Sequence, residues 1–172
     1  MSEVCVRVAV RVRPLLPKEV LHHHEVCVRV VPGSARVMLG PDRLFAFDHA
    51  FGPTASQDEV YESGVRPLVE SLLDGYNATV FCYGQTGSGK TYTLGGGNQG
   101  LNEGGIVDRV AQDVFLLLEK RKRSDGVKAS VQVSYLELHR EELRDLLELQ
   151  TVHKELHIRE DEKGNTGNGK IF

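Results

Sequence analysis

Between Phe81 and Leu94 the chain reads FCYGQTGSGKTYTL. Gly84, Gly89, Lys90 and Thr91 satisfy the spacing G-x-x-x-x-G-K-[S/T], in which glycines let backbone N–H groups close around phosphate oxygens. The cradle would run from Gly84 through Gln85, Thr86, Gly87 and Ser88 to Gly89. A helix after it would turn its positive end toward the bound anion. Lys90 is spaced to reach β- and γ-phosphates, and the Thr91 hydroxyl can ligate Mg²⁺. The spacing alone also fits a glycine-rich turn with an incidental lysine. An apolar run before the loop and helix-forming residues after it are the context a phosphate loop requires.

Hydrolysis asks for more than a cradle. A second group must hold the metal, orient the attacking water and sense the γ-phosphate. The one Asp-x-x-Gly downstream is Asp161-Glu162-Lys163-Gly164. It follows LHIRE, a half-exposed alternation, and reads as a surface turn. No catalytic residue is assigned. A small nucleotide kinase or a GTPase is a rival reading. Against it, the sequence has no NKxD guanine-reading motif, and the loop comes after several strands rather than the first.

The elements that must position the loop follow from periodicity. Val4, Val6, Val8, Val10 and Val12 alternate with polar or small residues, a period-two strand that Pro14 ends. Val26–Val31, Arg36–Leu39 and Leu44–Phe47 read as further strands, with turn chemistry at Pro32-Gly33-Ser34-Ala35. Ser56-Gln57-Asp58-Glu59 reads as a capping box. The helix behind it places Tyr61, Val65, Leu68, Val69 and Leu72 on one stripe, with a kink at Pro67 and a stop at Gly75. Asn77–Tyr83 is apolar without alternation, as in a strand covered on both faces. Ile106, Val110, Val114, Leu117 and Leu118 mark another helix, ending in Lys120–Arg123, where basic residues suit the dipole. Val127–Leu138 reads as a long strand with Tyr135 and Leu138 in the core. Arg140–Glu148 reads as a helix with Leu143, Leu146 and Leu147 inward. Gly95–Gly105 is a flexible interruption.

The 172 residues suffice for one domain, which would bury roughly 70% of its unfolded surface. Hydrophobic residues make up 40% and charged residues 26%, a globular composition. A net charge of -3 argues against a general nucleic-acid binder. No apolar run is long enough to span a membrane, and the N-terminus does not read as a signal peptide. Cys5, Cys27 and Cys82 share no CxxC spacing and read as reduced thiols. His22-His23-His24 cannot converge on one ion and reads as a solvated loop.

CYGQTGSGKTYTL resembles the phosphate loop of the kinesin motor domain, and the likeness extends through about Asn165. Arg11-Val12-Arg13-Pro14 is similar to the family's RxRP element, whose residues flank adenine. Tyr92 is similar to the residue on the base's other side. FDHAFGPTASQDEVY, GYNATVFCYGQT and VSYLELHREELRDLL resemble further family segments in the same order. RPLLPKE and LHIREDEKGN look most like the class-four branch associated with cilia and Hedgehog signalling. Asp108 stands where the family's GIxPR has proline, which predicts a different start to that helix. Cys82 stands where alanine is usual.

The resemblance implies an α/β fold of the P-loop NTPase type, with a mixed central sheet between helices. It implies ATP or ADP with Mg²⁺ as ligands, microtubules as partner, ATP hydrolysis coupled to microtubule-based movement, and a place in the cytoplasm, cytoskeleton and cilium. It implies Arg11, Arg13, Pro14 and Tyr92 as adenine neighbours, and Lys163 toward a secondary microtubule contact. The family's NxxSSRSH and DLAGxE motifs, main microtubule-binding helix and neck linker do not occur in the sequence, nor does a coiled coil. Residues 1–165 therefore read as the N-terminal half of a motor domain with its phosphate loop at 84–91, and 166–172 as a divergent tail. The expectation is a chain that binds nucleotide without hydrolysing it, meets microtubules weakly, and is poorly soluble or partly molten on its own. A nucleotide-binding regulatory fragment is the alternative function.

Overall fold

The computed structural model describes residues 6–97, 104–126 and 128–147, and the backbone of two short strand segments at 159–160 and 166–167. Two compact units divide the chain, Met1–Val127 and Lys128–Phe172. The sequence-based boundary at 165, Lys163, Asp161–Gly164 and the middle of Gly95–Gly105 lie outside the described residues.

In the first unit, β1 (Ala9–Arg11) runs parallel to β5 (His49–Phe51), with Arg11 opposite Phe51. The Val12 amide extends the ladder to the Phe51 carbonyl at 2.8 Å. Between them in sequence come α1 (Pro17–Leu21) and an antiparallel meander of β2 (Val28–Val30), β3 (Arg36–Leu39) and β4 (Arg43–Ala46). Gly33 and Gly40 take positive φ, 68° and 64°, at its two turns, a conformation glycine adopts without steric cost. The parallel pair carries Arg11 and Arg13 toward the phosphate loop.

Ser56 caps α2 (Gln57–Gly64), its Oγ accepting from the Glu59 amide at 3.1 Å. The helical path breaks at Val65 and resumes as α3 (Arg66–Leu73), with Pro67 in its first turn. There proline forfeits no intrahelical bond, so the kink expected from it becomes a boundary between two helices. Gly75 follows with φ 92°. After the phosphate loop come α4 (Lys90–Gly95) and α5 (Ile106–Asp125), the latter stopped by Gly126 in the left-handed region. α5 starts at Ile106, two residues before Asp108. Its carboxylate sits in the first turn, where the helix dipole favours it.

The core lies where the helices meet. Tyr61, Val65, Val69 and Ile106 are buried together, with Leu94, Val110, Val114 and Leu117 packed against them. Apart from Leu94 of α4, these residues belong to the two stripes read from the sequence, while Leu72 of the first stripe is exposed. The Tyr61 hydroxyl donates to Asp113 at 2.8 Å. Burial, then the neighbouring Asp113 carboxylate, pushes the Tyr61 phenol upward from its ordinary value. Arg121 donates to the Leu73 carbonyl and pairs with Asp74 at 2.6 Å, so this part of the basic run closes α5 onto the end of α3.

In the second unit, β6 (Leu136–His139) and β7 (Glu142–Asp145) form an antiparallel hairpin. β8 (Arg159–Glu160) pairs antiparallel with β9 (Thr166–Gly167).

The α/β class stands, with the described strands distributed over sheets of two or three strands. Three readings are corrected. Asn77–Tyr83 forms no strand: its backbone joins no ladder among the described residues, and Phe81 and Tyr83 are 75% and 92% exposed. An apolar run needs a neighbouring strand to pair with, and among the described residues none pairs with this one. Of Val127–Leu138 only the last three residues enter a strand, and Tyr135 and Leu138 are exposed. Arg140–Glu148 is no helix, because Arg140 and Glu141 take positive φ, 52° and 66°, and turn the chain back as a hairpin. Among the described residues, no helix is long and apolar enough to cross a membrane.

Candidate functional site

The loop from Gly84 to Gly89 connects the irregular segment 77–83 to α4. Gly84, Gly87 and Gly89 take φ of 155°, 79° and 100°. A Cβ at Gly84 would also meet Ser88 Oγ at 2.6 Å. Within the loop the Ser88 amide donates to the Gln85 carbonyl at 3.1 Å. Gly84, Gln85, Thr86 and Gly87 are exposed, while Ser88, Gly89 and Lys90 are half-buried. Gly89 is the N-cap of α4, and no side chain caps it. The first amides of α4 thus lack intrahelical acceptors and face outward with the positive end of the helix.

Lys90 folds back over this loop. Its Nζ donates to the Gly84 carbonyl at 2.8 Å and to the Gln85 carbonyl at 2.9 Å. The ammonium is thus held at the loop's mouth. The Thr91 side chain beside it is exposed. Open amides, an ammonium and a free-standing hydroxyl form a donor set that fits a phosphate tail accompanied by a hard, oxygen-seeking cation.

Two arginines from the end of β1 reach the site by different routes. Arg11 Nη1 donates to Gln57 Oε1 at 2.7 Å and to Thr93 Oγ1 at 3.0 Å, and Nη2 donates to the Ala55 carbonyl at 3.1 Å. Its guanidinium carbon lies 5.1 Å from the centroid of the Tyr92 ring, within cation–π range. Tyr92 remains 41% exposed. Arg13 Nε donates to the Gly87 carbonyl at 2.8 Å. Its other nitrogens grip both carboxylate oxygens of Glu19, at 2.6 and 2.7 Å, and one also reaches the Pro14 carbonyl at 2.9 Å. The bonds from Arg13 and then from the Leu16 amide hold the Glu19 carboxyl down to about 2. The same pairing raises Arg13. Pro14 is exposed beside them.

Arg11 therefore meets Tyr92 on α4, and Arg13 meets the loop at Gly87. Gln57, Thr93 and Glu19 also belong to the constellation, and the sequence reading passed over them. Gln57 carried a signal: it shares the i, i+4 stripe of Tyr61 and Val65, and a polar residue on an apolar stripe needs a partner. Gly105 was a second omission. A Cβ there would sit 2.4 Å from the Leu94 carbonyl oxygen and 2.5 Å from the Gly96 amide, so the end of α4 rests directly on the start of α5. Arg109 anchors that start to α2 through Asp58 at 2.6 Å. His22 and His24 place their rings 6.3 Å apart, and among the described residues no group of three or more His, Cys, Asp or Glu side chains gathers as metal ligands.

A family description, the kinesin motor domain, matches residues 11–168. The chain is similar to human kinesin-like protein KIF27, with 57% identity over 169 residues, covering 96% of this chain and 12% of the relative. Zebrafish kinesin-like protein kif7 is 50% identical over 168 residues, covering 96% of this chain and 12% of the relative. Human chromosome-associated kinesin KIF4A is 43% identical over 162 residues, covering 92% of this chain and 13% of the relative. The chain spans about an eighth of the length of the curated relatives it matches. With 158 of the 172 residues inside the matched range, counted from 11 to 168, the chain belongs to the kinesin motor domain family.

Proposed function

We propose that this chain supplies the nucleotide grip of a kinesin motor that binds ATP and ADP with Mg²⁺ and takes part in movement along microtubules, in the cytoskeleton and at the cilium. The observation that carries the reading is the loop Gly84–Thr91, with three glycines at positive φ and an ammonium folded over its mouth, running into the open start of α4. The amides of Gln85, Thr86, Gly87 and Gly89 face the phosphates, while that of Ser88 closes the loop on the Gln85 carbonyl. Lys90 exchanges its two carbonyl partners for β- and γ-phosphate oxygens. The Thr91 hydroxyl holds the Mg²⁺, which when bound neutralises phosphate charge. Pro14 and Tyr92 flank the adenine, Arg11 backs the Tyr92 ring, and Arg13 braces the loop through the Gly87 carbonyl.

The switch motifs that sense the γ-phosphate in this family do not occur in these 172 residues. Switch loops act by being ordered through γ-phosphate contacts and released on hydrolysis. These residues alone therefore bind nucleotide without turning it over, and hold microtubules weakly. Titration of the chain with a fluorescent ADP analogue, with Mg²⁺ and with chelator, tests the reading. Mg²⁺-dependent binding that ADP displaces better than GDP supports it. A preference for guanine nucleotide, or no binding with Mg²⁺, overturns it.

A further inference from the structure

Among the described residues Gln57 is the one polar side chain buried, at 6% exposure. Both ends of its amide are used. Oε1 accepts from Arg11 Nη1 at 2.7 Å, and Nε2 donates to the Tyr92 carbonyl at 2.7 Å. The same carbonyl accepts from the Gly96 amide at 2.9 Å, so both of its lone pairs are engaged. One side chain at the first position of α2 thus joins the end of β1 to the middle of α4.

We infer that Gln57 is a positioning residue that sets the base-flanking wall of the nucleotide site by holding the Arg11 guanidinium over the Tyr92 ring and fixing the backbone that carries that ring. The inference rests on the nucleotide reading above for its ligand, and on geometry alone for its mechanics. α4 has six residues, too few to hold a helix without tertiary support. Its register therefore depends on contacts such as this one. The guanidinium is held by neutral acceptors, Gln57, Thr93 and Ala55, which leave its charge available to the aromatic face. An amide suits the position because it accepts from a cation at one end and donates to a carbonyl at the other. A carboxylate could do only the first. Gln57 hydrogen-bonds no residue of the loop Gly84–Thr91 and meets α4 at Tyr92, so its effect falls first on the base end.

The test uses the full 172-residue chain in three forms: wild type, Gln57→Leu and Gln57→Glu. The probes are ADP and inorganic tripolyphosphate, the second carrying phosphates and no base. Gln57→Leu is expected to weaken Mg²⁺–ADP about tenfold, the scale of a desolvated cation–π and hydrogen-bond loss, while tripolyphosphate affinity stays within twofold. Backbone hydrogen exchange of residues 92–96 without any ligand is expected to accelerate about tenfold in both variants, since each loses the bond to the Tyr92 carbonyl. If Gln57→Leu loses its helical circular dichroism, Gln57→Glu carries the test. Equal weakening of ADP and tripolyphosphate would make Gln57 a merely structural residue and overturn the inference. Unchanged exchange at 92–96 would overturn it even if no nucleotide bound. Absence of ADP binding by the wild type with accelerated exchange in the variants would instead overturn the nucleotide reading and leave the mechanical role standing.

Discussion

Arg13 Nε lies 2.8 Å from the Gly87 carbonyl, tying the end of β1 to the middle of the phosphate loop. The bond points a carbonyl away from the mouth of the loop. The amide of the same peptide, that of Ser88, is held by the Gln85 carbonyl at 3.1 Å, so the Gly87–Ser88 peptide is fixed at both its carbonyl and its amide. The guanidinium that makes this bond is itself fixed by both oxygens of Glu19. Arg13 is thus bonded to the loop's backbone, while Arg11 lies against the Tyr92 ring.

Replacing Arg13 with Ala is expected to raise hydrogen exchange in residues 85–89 about tenfold and to weaken ADP and tripolyphosphate alike. Arg13→Lys should not rescue the defect. An ammonium cannot grip two carboxylate oxygens and reach Gly87 from a fixed fork. Exchange measured by mass spectrometry on the peptide spanning the loop checks this, and unaltered rates in Arg13→Ala would contradict the brace.

The Glu19 pair should show itself in acid. The folded carboxyl is held down to about 2 against an ordinary 4.5, by Arg13 first and the Leu16 amide second. A depressed carboxyl contributes stability that is complete above its unfolded value and fades as pH falls toward the folded one. The difference in α1 and loop exchange between wild type and Glu19→Gln should therefore be constant from pH 7 to about 5 and narrow below about 4.5. A difference that narrows between pH 6 and 8 instead would assign the effect to another group.

Gly105 tests the seat of α4. Its φ of -80° is ordinary, but a Cβ would meet backbone atoms of Leu94 and Gly96 that cannot move aside as a side chain can. Gly105→Ala is expected to destabilise the helical core by about 1–3 kcal/mol. Urea unfolding followed by helical circular dichroism reads it, and a midpoint equal to wild type would refute the close packing.

Tyr61→Phe removes the hydroxyl that donates to Asp113 from a residue 3% exposed. Arg66 lies 3.8 Å from the same carboxylate and retains it. The cost should be about 1 kcal/mol in the same urea experiment, the scale of one neutral donor lost. A loss of 3 kcal/mol or more would mean that Asp113 has no other effective partner.

The helical half of the first unit was legible because its signals are local. Ser56 supplies its own cap, the stripes of Tyr61, Val65, Val69 and of Ile106, Val110, Val114 have helical spacing, and the glycines of the loop take the positive φ their type permits. The strand reading of Asn77–Tyr83 failed because an apolar run specifies burial, and a strand also needs a ladder supplied from elsewhere. The helix reading of Arg140–Glu148 failed because Leu143, Leu146 and Leu147 are too few to separate a period of 3.6 from a period of 2. The turn there uses Arg140 and Glu141 at positive φ, residues that carry no turn signal. At the site, Gly84–Thr91 was legible as a motif. The Gln57 bridge was not, because its partners lie 46 and 35 residues away.

Exposed apolar side chains bear on behaviour in solution. Phe81, Tyr83, Val133 and Leu138 are exposed, and surfaces of this kind attract partners or aggregate. The chain is expected to bind the dye ANS strongly while retaining helical circular dichroism. Negligible dye fluorescence would show these residues covered in solution.

The loop at Gly84–Thr91 is proposed to grip the phosphate tail of a nucleotide through Lys90, and this grip is open to measurement. It is tested most directly by calorimetric titration of ADP with Mg²⁺ into wild type and Lys90→Ala. Saturable one-site binding by wild type is expected, with an affinity at least about tenfold weaker in the variant, the loss of one charge-assisted contact. Equal affinity in the two proteins would contradict it.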